Sequence, residues 1–181
     1  MKVRLSPVIF ALTLMLFSGA SLLHAQSAAK DAPKKEMVLA AKDLDNKVLP
    51  DKVFFRGQSA PVQARNAGGV HFADDFYVLA MLVDNSGYST GIREKYQAYL
   101  ITEVPLEIGG QTLKPGAYGC GFLENNKFGV MDLGANDLFQ VTSTRDADIK
   151  HPVPLQIMAT SEAGKYRFYH GRDYVEFQRA N

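Results

Sequence analysis

The chain has 181 residues, 46% of them apolar, which is enough for one globular domain and too little for two large ones. Twenty Lys and Arg face nineteen Asp and Glu, so there is no basic field to hold a nucleic-acid backbone. A single cysteine excludes an internal disulfide framework, a zinc ribbon and a Cys-x-x-Cys redox site.

The first segment has the three-part layout of a secretory signal peptide. Lys2 and Arg4 form a short positive region, and Val8 to Phe17 is an apolar run broken only by Thr13. Ser18 to Ser21 then loosen the segment ahead of Ala25. Cleavage after Ala25 suits the need for a small residue there, although Leu23 is larger than the ideal. Leu5 to Leu23 approaches the length of an uncleaved anchor only if the small polar residues count as apolar, since about 20 apolar residues are the norm. The layout predicts residues 1–25 as signal peptide and an exported, periplasmic or extracellular bacterial protein. No cysteine near the cleavage point would take a lipid, so a lipoprotein is not expected. Losing Lys2 and Arg4 leaves 18 basic and 19 acidic side chains, a net charge of −1. Such a chain offers nothing to an anionic membrane surface, and no stable membrane insertion is expected after cleavage.

Residues 26–35 are small and polar and read as a flexible leader. From Glu36 to Leu44, Met37, Val38, Ala41 and Leu44 recur at helical spacing and predict a short amphipathic N-terminal helix, closed by Pro50. The period then changes to two. Strands are predicted at 53–56, 61–66, 70–72, 76–83, 97–108, 117–123, 127–133, 138–143, 153–159, 166–169 and 173–177. Turn residues separate them at Ala67-Gly68-Gly69, Asp74-Asp75, Gly109-Gly110, Asn125-Asn126, Gly134-Ala135-Asn136 and His170-Gly171. The expected architecture is mainly β: an antiparallel meander over residues 36–181, as a barrel or a sandwich, in one domain. Phe76 to Val83 is apolar on both faces and should be a central strand, with the N-terminal helix covering one side.

Residues 105–122, an apolar strand, a Gly turn, Leu-x-x-Gly-x-Tyr and a second strand, resemble a hairpin of uncharacterised exported bacterial β-domain proteins. Residues 78–89 resemble part of the same group. The resemblance implies a β-rich exported domain and carries no activity.

Gly87-Tyr88-Ser89-Thr90-Gly91 matches G-x-S-x-G, the elbow that lifts a serine hydroxyl toward a histidine in serine hydrolases. Asp132 or Asp137 and His151 or His170 follow in the Ser–Asp–His order, so a small hydrolase using Ser89, Asp137 and His170 is one candidate. The elbow belongs to a much longer parallel sheet, whereas this chain reads as antiparallel, and a plain turn satisfies the same pattern. His71, Asp74, Asp75 and His170 raise the question of a metal, but no helical histidine pair supports one and no metal or cofactor is assigned. In residues 117–123, Tyr118, Cys120 and Phe122 share one strand face, which should enter the core. Gly119 and Gly121 share the other, where a ring, a helix or a ligand must come close. Arg56 and Arg65 could turn into a barrel and pair with Asp132 or Glu103, and the many tyrosines suit a core or an apolar pocket.

Three functions follow. The first is non-catalytic binding of a small apolar or mixed ligand, with Gly119, Gly121, Tyr99, His71 and Arg56 as candidate contacts, or of an envelope partner protein. The second is the Ser89 hydrolase. The third is a structural envelope adaptor that pairs through an edge strand. The signal layout generates one direct prediction: N-terminal sequencing of the exported protein gives Gln26, and a membrane-retained full-length chain would refute it.

Overall fold

A computed structural model describes residues 35–44 and 48–180. The predicted signal peptide and nearly all of the leader lie outside the described residues. In chain order the elements are β1 (Met37–Ala40), a 3-10 turn (Ala41–Asp43), β2 (Lys52–Phe55), β3 (Gln58–His71), β4 (Tyr77–Val83), α1 (Thr90–Lys95) and β5 (Ala98–Thr102). There follow β6 (Leu106–Ile108), β7 (Gln111–Leu113), β8 (Gly116–Leu123), β9 (Lys127–Met131) and β10 (Asp137–Thr142). The chain ends with β11 (Thr144–Arg145), β12 (Leu155–Ala159), β13 (Lys165–His170) and β14 (Asp173–Arg179).

All pairings are antiparallel, in two sheets. The first runs β1-β3-β4-β5-β8-β9-β10, with β2 also on β3. The second runs β12-β13-β14-β6-β7, with β11 on β14. They stack as a sandwich and do not close into a barrel.

Strand β4 sets the layering. Val78 and Ala80 point to the second sheet and join a core with Leu100, Cys120, Val130, Phe168 and Val175. Leu79, Met81 and Val83 point the other way, into a second core with Phe55, Tyr88, Tyr96 and Tyr99. The first sheet is therefore covered on both faces, as an all-apolar strand requires. The outer cover is not the expected helix. It is the β2–β3 hairpin, the Gly87–Tyr96 segment and the apolar residues Leu39, Leu44 and Leu49.

The predicted helix over Glu36–Leu44 is corrected to strand β1, with helical geometry confined to the single turn Ala41–Asp43. A helix this short cannot offset its nucleation cost alone, whereas the edge of β3 offers a ready ladder, Met37 to His71 through Ala40 to Gly68. As a strand, the segment sends Val38 to one core and Leu39 to the other.

The predicted reversal at Ala67-Gly68-Gly69 is also corrected: β3 runs straight through it. These glycines permit close approach. A Cβ on Gly68 would lie 2.9 Å from the backbone nitrogen of Ile157 in β12, and one on Gly69 would lie 2.7 Å from the carbonyl oxygen of Val78. The bend in β3 comes earlier, where the register with β4 shifts between Val62 and Ala67. The expected strand 97–108 divides in two, β5 in the first sheet and β6 in the second. At the corner the buried Thr102 hydroxyl donates to the Val104 carbonyl at 2.5 Å, so the change of sheet leaves no unmet hydroxyl. The remaining strands fall close to their expected positions, and Gly109-Gly110 and Asn125-Asn126 adopt the positive φ that tight hairpins need.

Gly68→Ala should lower stability by about 1–3 kcal/mol, because the new methyl meets backbone, which cannot rotate away. Urea unfolding measures it, and an unchanged midpoint would contradict the close crossing of β12 over β3.

Candidate functional site

Ser89 is the exposed N-cap residue of α1, in extended backbone, and its side chain makes no capping hydrogen bond. Asp137 is bound to Lys95 at 2.7 Å. His170 lies in the second sheet, its ring stacked on Phe122 with centroids 6.0 Å apart. Among the described residues, no hydrogen bond joins Ser89, Asp137 and His170. The residue of the Gly87–Gly91 turn with structural consequence is Tyr88. Its buried hydroxyl reaches the carbonyls of Phe55 (3.0 Å) and Gln58 (3.1 Å), on either side of the Arg56-Gly57 turn. The Asn85 amide fastens the other end of the segment, donating to the carbonyls of Arg93 (3.1 Å) and Tyr96 (2.5 Å).

The Gly119–Gly121 face is filled by the protein's own groups. A Cβ on Gly119 would meet Phe55 Cε2 at 2.5 Å and Tyr96 Cδ2 at 3.0 Å. One on Gly121 would strike the carbonyl oxygen of Lys95, at the end of α1. The Phe55 and Tyr96 rings stack 4.0 Å apart, and Tyr88 meets both edge-on. Tyr99, opposite Gly119 in the ladder, is buried beside them. The Tyr96 hydroxyl is buried without a hydrogen-bond partner, and burial drives its pKa well above the usual phenol value. On the opposite face Cys120 is fully buried, with Tyr118 and Phe122 packed against the same core. Burial pushes the Cys120 thiol far up, so it is a packing group and not a nucleophile at neutral pH.

The other candidate contacts are dispersed. His71 bonds Asp75 through Nε2 at 3.1 Å and stacks on Tyr77 with centroids 4.3 Å apart. Arg56 is not on a strand: it occupies the β2–β3 turn at φ 50°, and its N–H donates to the Leu133 carbonyl at 2.6 Å. Arg65 is exposed on β3. Neither arginine forms an ion pair with Asp132 or Glu103; Asp132 instead caps its own turn through Gly134 and Asn136. Among the described residues, no group of three His, Cys, Asp or Glu side chains is placed to hold a metal.

Two hollows remain. The one between the sheets, lined by Val78, Leu100, Ile157 and Phe168 among others, holds about 10 Å³, scarcely room for one water. The other is an open cleft of about 310 Å³ at one end of the sandwich, lined by Glu36, Phe72, Ala73, Asp74, Gly164 and Arg179. There Arg179 bonds Asp74 at 2.6 Å and lies over the rings of Phe72 (5.6 Å) and Phe76 (5.9 Å). The guanidinium beside Asp74 holds its carboxyl below the usual range. Sequence reading missed Arg179, because 105 residues separate it from Asp74 and nothing near it in the chain marks it.

The sheet edges differ in how they are finished. β12 packs against β3 and β1, β2 is folded into the outer core, and β7 is three residues long with Pro115 close behind. β10 is six residues long, Asp137 to Thr142, and among the described residues no strand pairs with its outer edge. It carries no Lys, Arg or Pro, and Leu138 is 46% exposed at a bulge in the ladder. No protein-family model, curated protein or solved structure matches this chain.

Three outcomes are expected. A serine-directed activity probe should leave the protein unlabelled, and labelling abolished by Ser89→Ala would restore the hydrolase. Gly119→Val should cost about 1–3 kcal/mol in chemical unfolding, since its bulk enters the space of two stacked rings; a variant as stable as the parent would refute the packing. Burial lowers the pKa of His170, opposed in part by Asp173. The folded state therefore binds this proton less readily than the unfolded chain, and stability falls as pH drops below about 6.5. His170→Asn should flatten that part of the stability-versus-pH curve, and an unaltered slope would assign it elsewhere.

Proposed function

We propose that this is an exported, non-catalytic β-domain of the bacterial envelope that acts by protein contact, pairing an extended strand with β10. The observation that carries the reading is the contrast between a filled interior and an unfinished edge. The hollow between the sheets, about 10 Å³, is too small for an organic ligand, and the glycine face that could have lined a site is filled by Phe55 and Tyr96. Edge strands are ordinarily blunted by lysine, proline, a bulge or cover, and the bulge of β10 is confined to Leu138, ahead of the regular run 139–142. β10 has none of the first two, and its backbone N–H and C=O groups supply the main-chain hydrogen bonds of strand addition. Export rests on the charged, apolar and small-residue order of residues 1–25.

The Arg179 cleft supports a second reading, a small ligand that joins an aromatic part to a charged group, held by the Asp74–Arg179 pair and the exposed ring of Phe76. Thermal-shift screening with aromatic amines and aromatic carboxylates tests it, with Arg179→Ala expected to abolish any shift.

For the edge reading, a photo-crosslinking amino acid at position 140 should yield a covalent protein adduct in exporting cells, while the same group at exposed Glu162 should not. Absence of any adduct from positions 138, 140 and 142 would overturn it.

A further inference from the structure

We infer that the strand β10 receives is β10 of a second copy, antiparallel, on a two-fold axis at Gln140. The inference rests on the edge reading above and adds the partner and the register.

Directly opposed residues in an antiparallel pair point to the same face, so a self-pairing strand must match residues of like orientation. The β9 ladder fixes those orientations. Phe139 pairs with Val130 and Val141 with Phe128, toward the inter-sheet core. Asp137 pairs with Met131 and Gln140 with Gly129, toward the outer layer.

An axis at Gln140 sets Phe139 against Val141 twice on the inner face, and Gln140 against its own copy on the outer face. Thr142 then meets the bulged Leu138 at each end. The apolar pairs extend the existing core across the axis, since Val141 belongs to it and Phe139 packs on it. Two facing glutamine amides can each donate and accept. The match also holds electrostatically. Asp137, the charged residue of the strand, falls outside these pairs and is already held by Lys95, so no like charges oppose.

Neighbouring registers fail. An axis at Phe139 sets inward Val141 against outward Asp137. An axis at Val141 sets apolar Phe139 against Ser143, a buried polar residue past the last residue of β10. Five residues from each copy make an interface well below the standard of about 800 Å² per partner. The dimer is accordingly weak and concentration-dependent.

Sedimentation of the exported protein should show a monomer in dilute solution and a dimer on concentration. Gln140→Lys places like charges face to face on an exposed site and should hold the protein monomeric, with the parent's circular dichroism and melting point. Gln140→Cys should form a disulfide-linked dimer under mild oxidation, because the axis brings the residue against itself and buried Cys120 cannot compete. Thr142→Cys alone should not link, but mixed with Leu138→Cys it should give the heterodimer. A parent that stays monomeric at all concentrations, or a folded Gln140→Cys that stays unlinked, overturns self-pairing. A crosslink from position 140 to a different protein, with this chain monomeric, overturns self-pairing but leaves the edge reading standing. Absence of every adduct overturns both.

Discussion

Strand β4 has no polar face, and the rest of the architecture answers that constraint. Val78 and Ala80 face the second sheet, while Leu79, Met81 and Val83 face outward. Burying a large aliphatic side chain is worth about 1.5–3 kcal/mol. Exposing either face would therefore forfeit a sizeable part of a domain's net stability, which is about 5–15 kcal/mol. One side is met by a regular sheet. The other is met by pieces: a hairpin, a six-residue helix with its flanking turn and the segment around β1.

An irregular layer needs fasteners, because it lacks a continuous ladder of its own. Tyr88 holds both strands of the hairpin by their carbonyls, Arg56 ties the hairpin tip to Leu133, and Asn85 closes the end of α1. The Phe55 ring then rests directly on the backbone of Gly119, a contact only a residue without Cβ allows. The unpartnered hydroxyl of Tyr96 fits this economy. Tyr96 stacks on Phe55 and supplies ring area, and the layer tolerates an unmet hydroxyl costing about 1–3 kcal/mol in exchange.

What could be read from the sequence was whatever has a local cause. Period-two alternation gave most strands, the uninterrupted apolar run marked β4, and positive-φ residues marked the Asn125-Asn126 and Gly109-Gly110 turns. The two-faced reading of residues 117–123 likewise needed only alternation. The misreadings have distant causes. Gly68 looks the same in a turn as under a crossing strand, and the strand that crosses, β12, comes far later in the chain, while Gly69 meets the Val78 carbonyl of β4. Met37 to Leu44 has helical spacing, yet the edge of β3 decides its form. The Gly87–Gly91 pattern was visible as a turn, but the use made of Tyr88 depends on carbonyls 33 and 30 residues upstream. The Asp74–Arg179 pair was hidden for the same reason.

Under the proposed edge pairing, recognition falls on the surface, and the covered first sheet narrows it further. Its outer face is closed by the hairpin layer and its inner face by the second sheet, so β10 offers a partner a rim and not a face. A rim recognises backbone, which every protein has, and discrimination must come from the side chains alternating along it. Here the two walls of the sandwich help to select. The β6–β7 turn stands against Val141, with a Cβ on Gly109 reaching to 2.8 Å of its side chain, while Lys95 and α1 flank the outer side at Asp137. An incoming strand is thus limited to the short run between the bulge at Leu138 and the sheet change at Ser143. Within it, bulky inward residues must meet apolar partners, and the middle outward residue must tolerate an amide. The strand Phe139-Gln140-Val141, turned about its own centre, meets each of these conditions.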